Sequence, residues 1–326
     1  MSQATRKSIA EKVNSFRDSS LLPFHDVLDA RMVTSALAEE GVKFNRCLYT
    51  PLVTLCVFLS QVLDPDHSCR GAVARLIVWL STHGRAACAP ETGAYCDARR
   101  RLPLRVITRL VRRTAIEVEG GAADDWLWKG RSVVLVDGTT ASMPDTAENQ
   151  AVYPQSSAQG IGLGFPLVRM VALISLATGV ARDLAVGPYR GKETGETALF
   201  RTLWDGLKAG EIVLGDRYFG SFFGIAGLAG RDVDVLFRMH QRRKFDFRRG
   251  ERLGVEDHVV VWAKPERPEW MDEAVYAMMP DELKVRELRI TVSQRGFRVD
   301  ELVLERPWSH SGERLEEVAN IMVCMR

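Results

Sequence analysis

A chain of 326 residues, 46% of them hydrophobic and 26% charged, has the balance of an ordinary soluble globular protein, long enough for two domains or for one with a large insertion. The formal charge of +2 says little alone because the positive residues are clustered, and the excess of 35 arginines over 9 lysines suits phosphate contact but equally reflects a GC-rich genome. The six cysteines form no CxxC pair, the N-terminus has no apolar stretch behind its charges, and the apolar run 52–63 is far short of the ~20 residues that span a bilayer. A disulfide framework, a zinc site, a signal peptide and a membrane span are therefore not expected. The expected setting is a reducing cytoplasm.

Residues 1–125 read as helical. Apolar spacing predicts helices over 24–37, over 52–63 behind Pro51 at a first-turn position, over 71–80, and over 104–118. The last of these gathers Val106, Ile107, Leu110, Val111 and Ala115 on one face. Between Cys96 and Arg113 stand seven arginines (Arg99, Arg100, Arg101, Arg105, Arg109, Arg112 and Arg113) against the single acid Asp97. A helix, a short break and an arginine-studded helix suit DNA binding; a solvated basic face on a helical bundle is the competing reading.

After a Gly- and Asp-rich linker at 120–125 comes Arg131-Ser-Val-Val-Leu-Val-Asp137-Gly-Thr-Thr140. A β-branched run of this kind reads as a buried central strand ending in an aspartate and a glycine turn. Glu211-Ile-Val-Leu-Gly-Asp216-Arg-Tyr-Phe-Gly-Ser221 repeats the pattern. Either aspartate alone could be a turn former or a helix cap. Together they are what a divalent-metal site for phosphoryl transfer needs: hard oxygen ligands held close together. Between them, strands over 168–176 and 180–186 joined by a turn at Gly179 read as a hairpin, followed by a helix over 194–207 capped by Thr194. A helix over 221–229 and a strand over 233–238 complete a mixed-sheet α/β order.

From His240 the texture changes to Gln241-Arg-Arg-Lys-Phe-Asp-Phe-Arg-Arg-Gly250, basic with interleaved aromatics, and then to short strands over 257–262, 288–292 and 302–304. Aromatics among Arg242, Arg243, Lys244, Arg248 and Arg249 suit stacking on bases or gripping phosphates, and equally suit an exposed hairpin with snorkelling side chains.

These motifs carry a resemblance. Val136-Asp-Gly-Thr139, Gly215-Asp-Arg-Tyr-Phe-Gly-Ser221, Tyr95-Cys-Asp-Ala-Arg-Arg-Arg-Leu-Pro103, Phe247-Arg-Arg-Gly250 and Trp262-Ala-Lys-Pro265 resemble bacterial insertion-sequence DDE transposases of the IS-four-type branch. The resemblance covers roughly residues 20–304. It implies an α/β fold: an RNase H-like mixed-sheet core, preceded by a helical N-terminal domain and interrupted by a β-rich insertion. The implied segments are a helical DNA-binding region (1–125), the first part of the core (126–239), the insertion (240–304) and a divergent tail (305–326). It also implies metal-dependent cleavage and strand transfer, with Asp137 and Asp216 binding two Mg²⁺ or Mn²⁺ ions. The implied partner is double-stranded DNA, both transposon ends and target, engaged by a homodimer in a synaptic complex. Arg217 and Tyr218, beside Asp216, are placed to position a scissile phosphate or to pack as structure, and Arg190 and Lys192 lie in a loop leading out of the sheet.

The sequence departs from the family at one point. The family carries its third acid on a helix after the insertion, in the spacing Tyr-x2-Arg-x3-Glu-x6-Lys, and none of the six tyrosines here meets even its first step. Glu313, Glu316 and Glu317 read as the solvated face of a short terminal helix rather than as that ligand. The expectation is a truncated form with impaired catalysis, with one face of the sheet around the two aspartates left bare. The competing reading is a DNA-binding regulator of transposition with no catalytic activity.

Overall fold

The computed structural model describes residue 24 and residues 28–44, 47–292 and 300–307, which fall into two compact units, Met1–Thr114 and Ala115–Arg326. In the first, α1 (Ala30–Glu39), α2 (Pro51–Leu63) and α3 (Cys69–Thr82) each start at a short polar side chain. Asp29, Thr50 and Ser68 accept backbone N–H groups of the first turn, and Pro51 occupies the first position of α2, where no N–H is needed. Shorter α4 (Gly93–Arg100) and the 17-residue α5 (Leu104–Gly120) follow. Val106 and Leu110 of α5 close a core with Val33, Ala36, Leu37 and Leu55, as the apolar spacing predicts. A second core surrounds Tyr95, whose hydroxyl donates to Gln61 Oε1 at 2.7 Å.

The second unit is built on one nine-stranded sheet of order β3-β2-β1-β4-β5-β9-β8-β7-β6. Its first five strands are β1 (Val133–Ser142), β2 (Leu167–Ser175), β3 (Ala181–Pro188), β4 (Ile212–Gly215) and β5 (Asp234–Arg238). β1, β4 and β5 are parallel, whereas β2 and β3 form an antiparallel hairpin against β1 that turns at Gly179 (φ 71°). This mixed arrangement, with helices on the sheet, is that of an RNase H-like core. Val134, Val136, Val213, Val235 and Phe237 bury one face together with α7 (Glu196–Arg201) and α8 (Phe222–Ala229). A short α6 (Ala147–Val152) lies in the β1–β2 connection. Val133, Leu135, Ile212, Leu214 and Leu236 are buried on the other face. The face expected to be bare is therefore not.

After β5 the chain continues with β6 (Glu251–Gly254), β7 (Asp257–Ala263), α9 (Glu273–Met278), β8 (Glu282–Val292) and β9 (Asp300–Pro307). Rather than standing apart, these strands extend the core sheet: β9 pairs with β5 through Phe237↔Glu305 and Arg238↔Leu304. Met271, Leu283 and Val285 join the same apolar cluster as α8. β9 reaches Pro307, so sheet structure runs past the expected boundary at 304, and the expectations for Glu313, Glu316 and Glu317 lie outside the described residues.

Candidate active site

The register of β1 against β4 sets the site. Their parallel pairing ends at Val136↔Gly215, so the next residues are Asp137, still within β1, and Asp216, the first residue after β4. β1 itself does not end there. It continues to Ser142, paired only with β2, so the expected strand end and glycine turn at Asp137-Gly138 are corrected to mid-strand positions. Both aspartates are exposed. Asp137 Oδ1 accepts the Gly138 N–H and Asp216 Oδ1 the Tyr218 N–H, each at 2.8 Å. Each carboxylate thus makes a local backbone contact through one oxygen, and neither aspartate caps a helix.

The turn after β4 is held by packing. A Cβ at Gly215 would lie 2.7 Å from Val136 Cγ1 and 3.0 Å from both Phe219 and Phe237, so only glycine lets the strand end press into the core. Phe219 is buried, and Ser221 caps α8 by accepting the Gly224 N–H at 3.0 Å. The motif Gly215-Asp-Arg-Tyr-Phe-Gly-Ser221 therefore anchors Asp216 from both sides.

Gly138 has a different reason to lack a side chain. A Cβ there would meet Glu196 Cδ at 2.5 Å and Oε1 at 2.9 Å. Glu196 opens α7, which starts two residues after the expected Thr194 cap and ends at Arg201; Thr194 instead donates its hydroxyl to Gly191 O. Burial pushes the Glu196 carboxyl above the ordinary glutamate range; Arg169 opposes this, and the charges of Asp216 and Asp137 add to it. Arg169 is turned towards the Thr194 carbonyl at 2.8 Å and the Tyr189 ring. Sequence reading missed Glu196, because its only signal was an acid opening the helix after the hairpin.

The expected DNA-binding residues divide by what they touch. Arg99 packs over Phe58 and Tyr95 and reaches Gln61, Arg100 pairs with Asp97, and Arg105 pairs with Glu40. Arg109 and Arg113 hold Glu39, and Arg109 also holds Glu40, while Arg101 is exposed. Arg217 donates to Gln241 at 2.6 Å, and Tyr218 is exposed with its ring edge-on to His240. Arg243 stacks 3.6 Å from the Trp262 ring centre, and Arg248 and Arg249 reach Asp246. Phe245 and Phe247 are covered by Arg289, and Phe247 also contacts His258. Arg242 and Lys244 are exposed.

A family model described as "Transposase DDE domain" matches residues 128–295, just over half of the chain. The chain belongs to the DDE transposase family. It is 25% identical over 256 residues to Transposase InsG for insertion sequence element IS4 of Escherichia coli (strain K12), an overlap covering 77% of this chain and 55% of that relative. The chain thus spans about half the length of the curated relative it matches.

Membership of the DDE transposase family implies dependence on a divalent metal. The donors fit: Asp137 in β1 and Asp216 just after the neighbouring β4 offer hard carboxylate oxygens open to solvent, which would complete the shell of a magnesium-like ion. Among the described residues, no three His, Cys, Asp or Glu side chains stand close enough to hold an ion jointly. No helix among them is long and apolar enough to cross a membrane.

Proposed function

We propose that this DDE transposase chain carries out insertion-sequence transposition, cleaving phosphodiesters at element ends and transferring strands with Mg²⁺ or Mn²⁺ in a two-metal site. The observation that carries this reading is the β1–β4 register, which leaves Asp137 and Asp216 side by side where the parallel pairing ends. When bound, divalent cations supply activation of the attacking hydroxyl and stabilisation of the leaving oxygen. The chain's own part is to hold the two carboxylates rigidly through the buried strands behind them and the Phe219 anchor. Arg217 and Tyr218 flank Asp216, and Arg242, Lys244, Arg248 and Arg249 offer charge for the phosphate backbone of double-stranded DNA. In the helical unit the same role falls to Arg100 and Arg101, with Arg105 reaching phosphate by exchanging its Glu40 pairing. Arg99, turned onto Phe58, supports that surface from behind. A homodimer in a synaptic complex would bring two such sites to paired ends.

The test is Mg²⁺- or Mn²⁺-dependent nicking of DNA carrying the element's ends, with Asp137→Ala as the control. Nicking that the substitution abolishes supports the reading; nicking that survives it removes Asp137 from the chemistry. A second reading, a DNA-binding regulator without catalysis, is favoured by the lack of a closed three-acid cluster among the described residues. Salt-sensitive binding of the ends with no cleavage in either metal would select it.

A further inference from the structure

We propose that Glu196 is a third carboxylate of the cation site, a positioning residue that accepts hydrogen bonds from the hydration shell of a divalent cation held by Asp137 and Asp216. The inference rests on the proposed metal-dependent reading of those two aspartates and goes beyond it by adding a residue outside the family's third-acid motif.

Three observations carry it. First, the Glu196 carboxylate lies directly over the backbone of Gly138, the residue after Asp137, so closely that a single methyl group there would displace it. Second, a half-buried carboxylate has been brought within electrostatic reach of two others, Asp137 and Asp216, with Arg169 as the opposing cation. Gathering three like charges is unfavourable unless a cation joins them. Arg169 offsets part of that charge: it donates to the Thr194 carbonyl and lies over the Tyr189 ring, while its Nε is buried with no hydrogen-bond partner. Third, the described residues close no three-ligand cluster, so Glu196 stands near the site but not in direct ligand position. That spacing suits a magnesium-like ion, which gives up its water reluctantly and is bound by one or two carboxylates while keeping several waters. A carboxylate one water away orients that shell, and removing such an outer partner lowers metal affinity by about 10–100-fold.

The experiment uses the full chain without DNA and titrates Mn²⁺, following free Mn²⁺ by electron paramagnetic resonance in the wild type, E196Q, E196D and D137N. Thermal melting with and without Mn²⁺ is recorded for each. The isosteric E196Q is expected to weaken Mn²⁺ binding by about 10-fold, to melt no lower than wild type without metal, and to gain less on metal addition. E196D, which keeps the charge but shortens the reach, is expected to fall between E196Q and wild type. If E196Q binds Mn²⁺ like wild type while D137N does not, the role of Glu196 is overturned and the aspartate site stands. A loss of affinity in E196Q that E196D shares in full, together with a lower metal-free melting temperature in both, overturns it in favour of a structural role. If D137N also binds like wild type, the cation reading of the aspartates fails, and with it the inference.

Discussion

Two glycines at the site are required for different reasons, and substitution separates them. Gly215 faces Val136, Phe219 and Phe237, none of which can yield inside a packed core. Gly215→Ala is expected to destabilise the chain by about 1–3 kcal/mol, the range for overpacking, read as a lower midpoint in urea unfolding. Gly138 faces the end of a flexible glutamate. Gly138→Ala is expected to leave the unfolding midpoint within about 0.5 kcal/mol of wild type, because the side chain can swing away, while lowering Mn²⁺ affinity. A second residue-scale expectation concerns Asp246. Hydrogen bonds from the Arg248 side chain and backbone, reinforced by the charges of Arg248 and Arg249, hold its carboxyl down to about 2. A depressed acid stabilises the fold above its ordinary value of 3.8 and loses that contribution as pH falls through about 2. Carboxyl ¹³C titration should give a midpoint near that value, rising towards the ordinary one in Arg248→Gln; a wild-type midpoint at 3.8 would refute the pairing in solution.

Among the elements, β3 and β4 are tied by a buried ion pair. Arg182 donates to Glu211 Oε1 at 2.8 Å, and Glu119, in the last turn of α5, lies 3.4 Å from its Nε. Glu211 also accepts the Lys208 N–H at 2.8 Å with its second oxygen, so its charge is satisfied only while Arg182 is present. Arg182→Met leaves that carboxylate buried without its cation and is expected to cost about 3–5 kcal/mol in chemical unfolding. The double variant Arg182→Met/Glu211→Leu should recover most of the loss. The element most altered from expectation is α7. A continuous helix over 194–207 was foreseen, but regular helix stops at Arg201, and a 3₁₀ turn at Trp204–Gly206 carries the chain to β4. Trp204 fills the space above Gly227 of α8, where an added Cβ would lie 2.7 Å from its ring. Packing of an aromatic against a neighbouring helix outweighed local helical spacing.

Across the whole molecule, the charge pattern predicts how DNA association responds to salt. Some of the arginines that cluster in sequence are spent within the protein, notably Arg99 on Phe58 and Arg109 and Arg113 on Glu39. Removing Arg101 and Arg242 together is expected to lower the magnitude of the slope of log affinity against log salt by about 2, roughly one unit per phosphate contact. An unchanged slope would place the DNA elsewhere.

The sequence by itself determined the central strands, because runs such as Val133–Val136 and Ile212–Leu214 are too apolar and β-branched to lie anywhere but inside a sheet. It also determined the hairpin at Gly179 and the helix after Ser221, both of which rest on contacts within a few residues. Tertiary structure decided the rest. The continuation of β1 past Asp137 depends on pairing with β2, some thirty residues on, and the joining of β6 to β9 to the first five strands depends on β9 finding β5. Glu196 is near Asp137 only because α7 folds back over Gly138. That long-range contact has no periodicity, and no spacing along the chain records it.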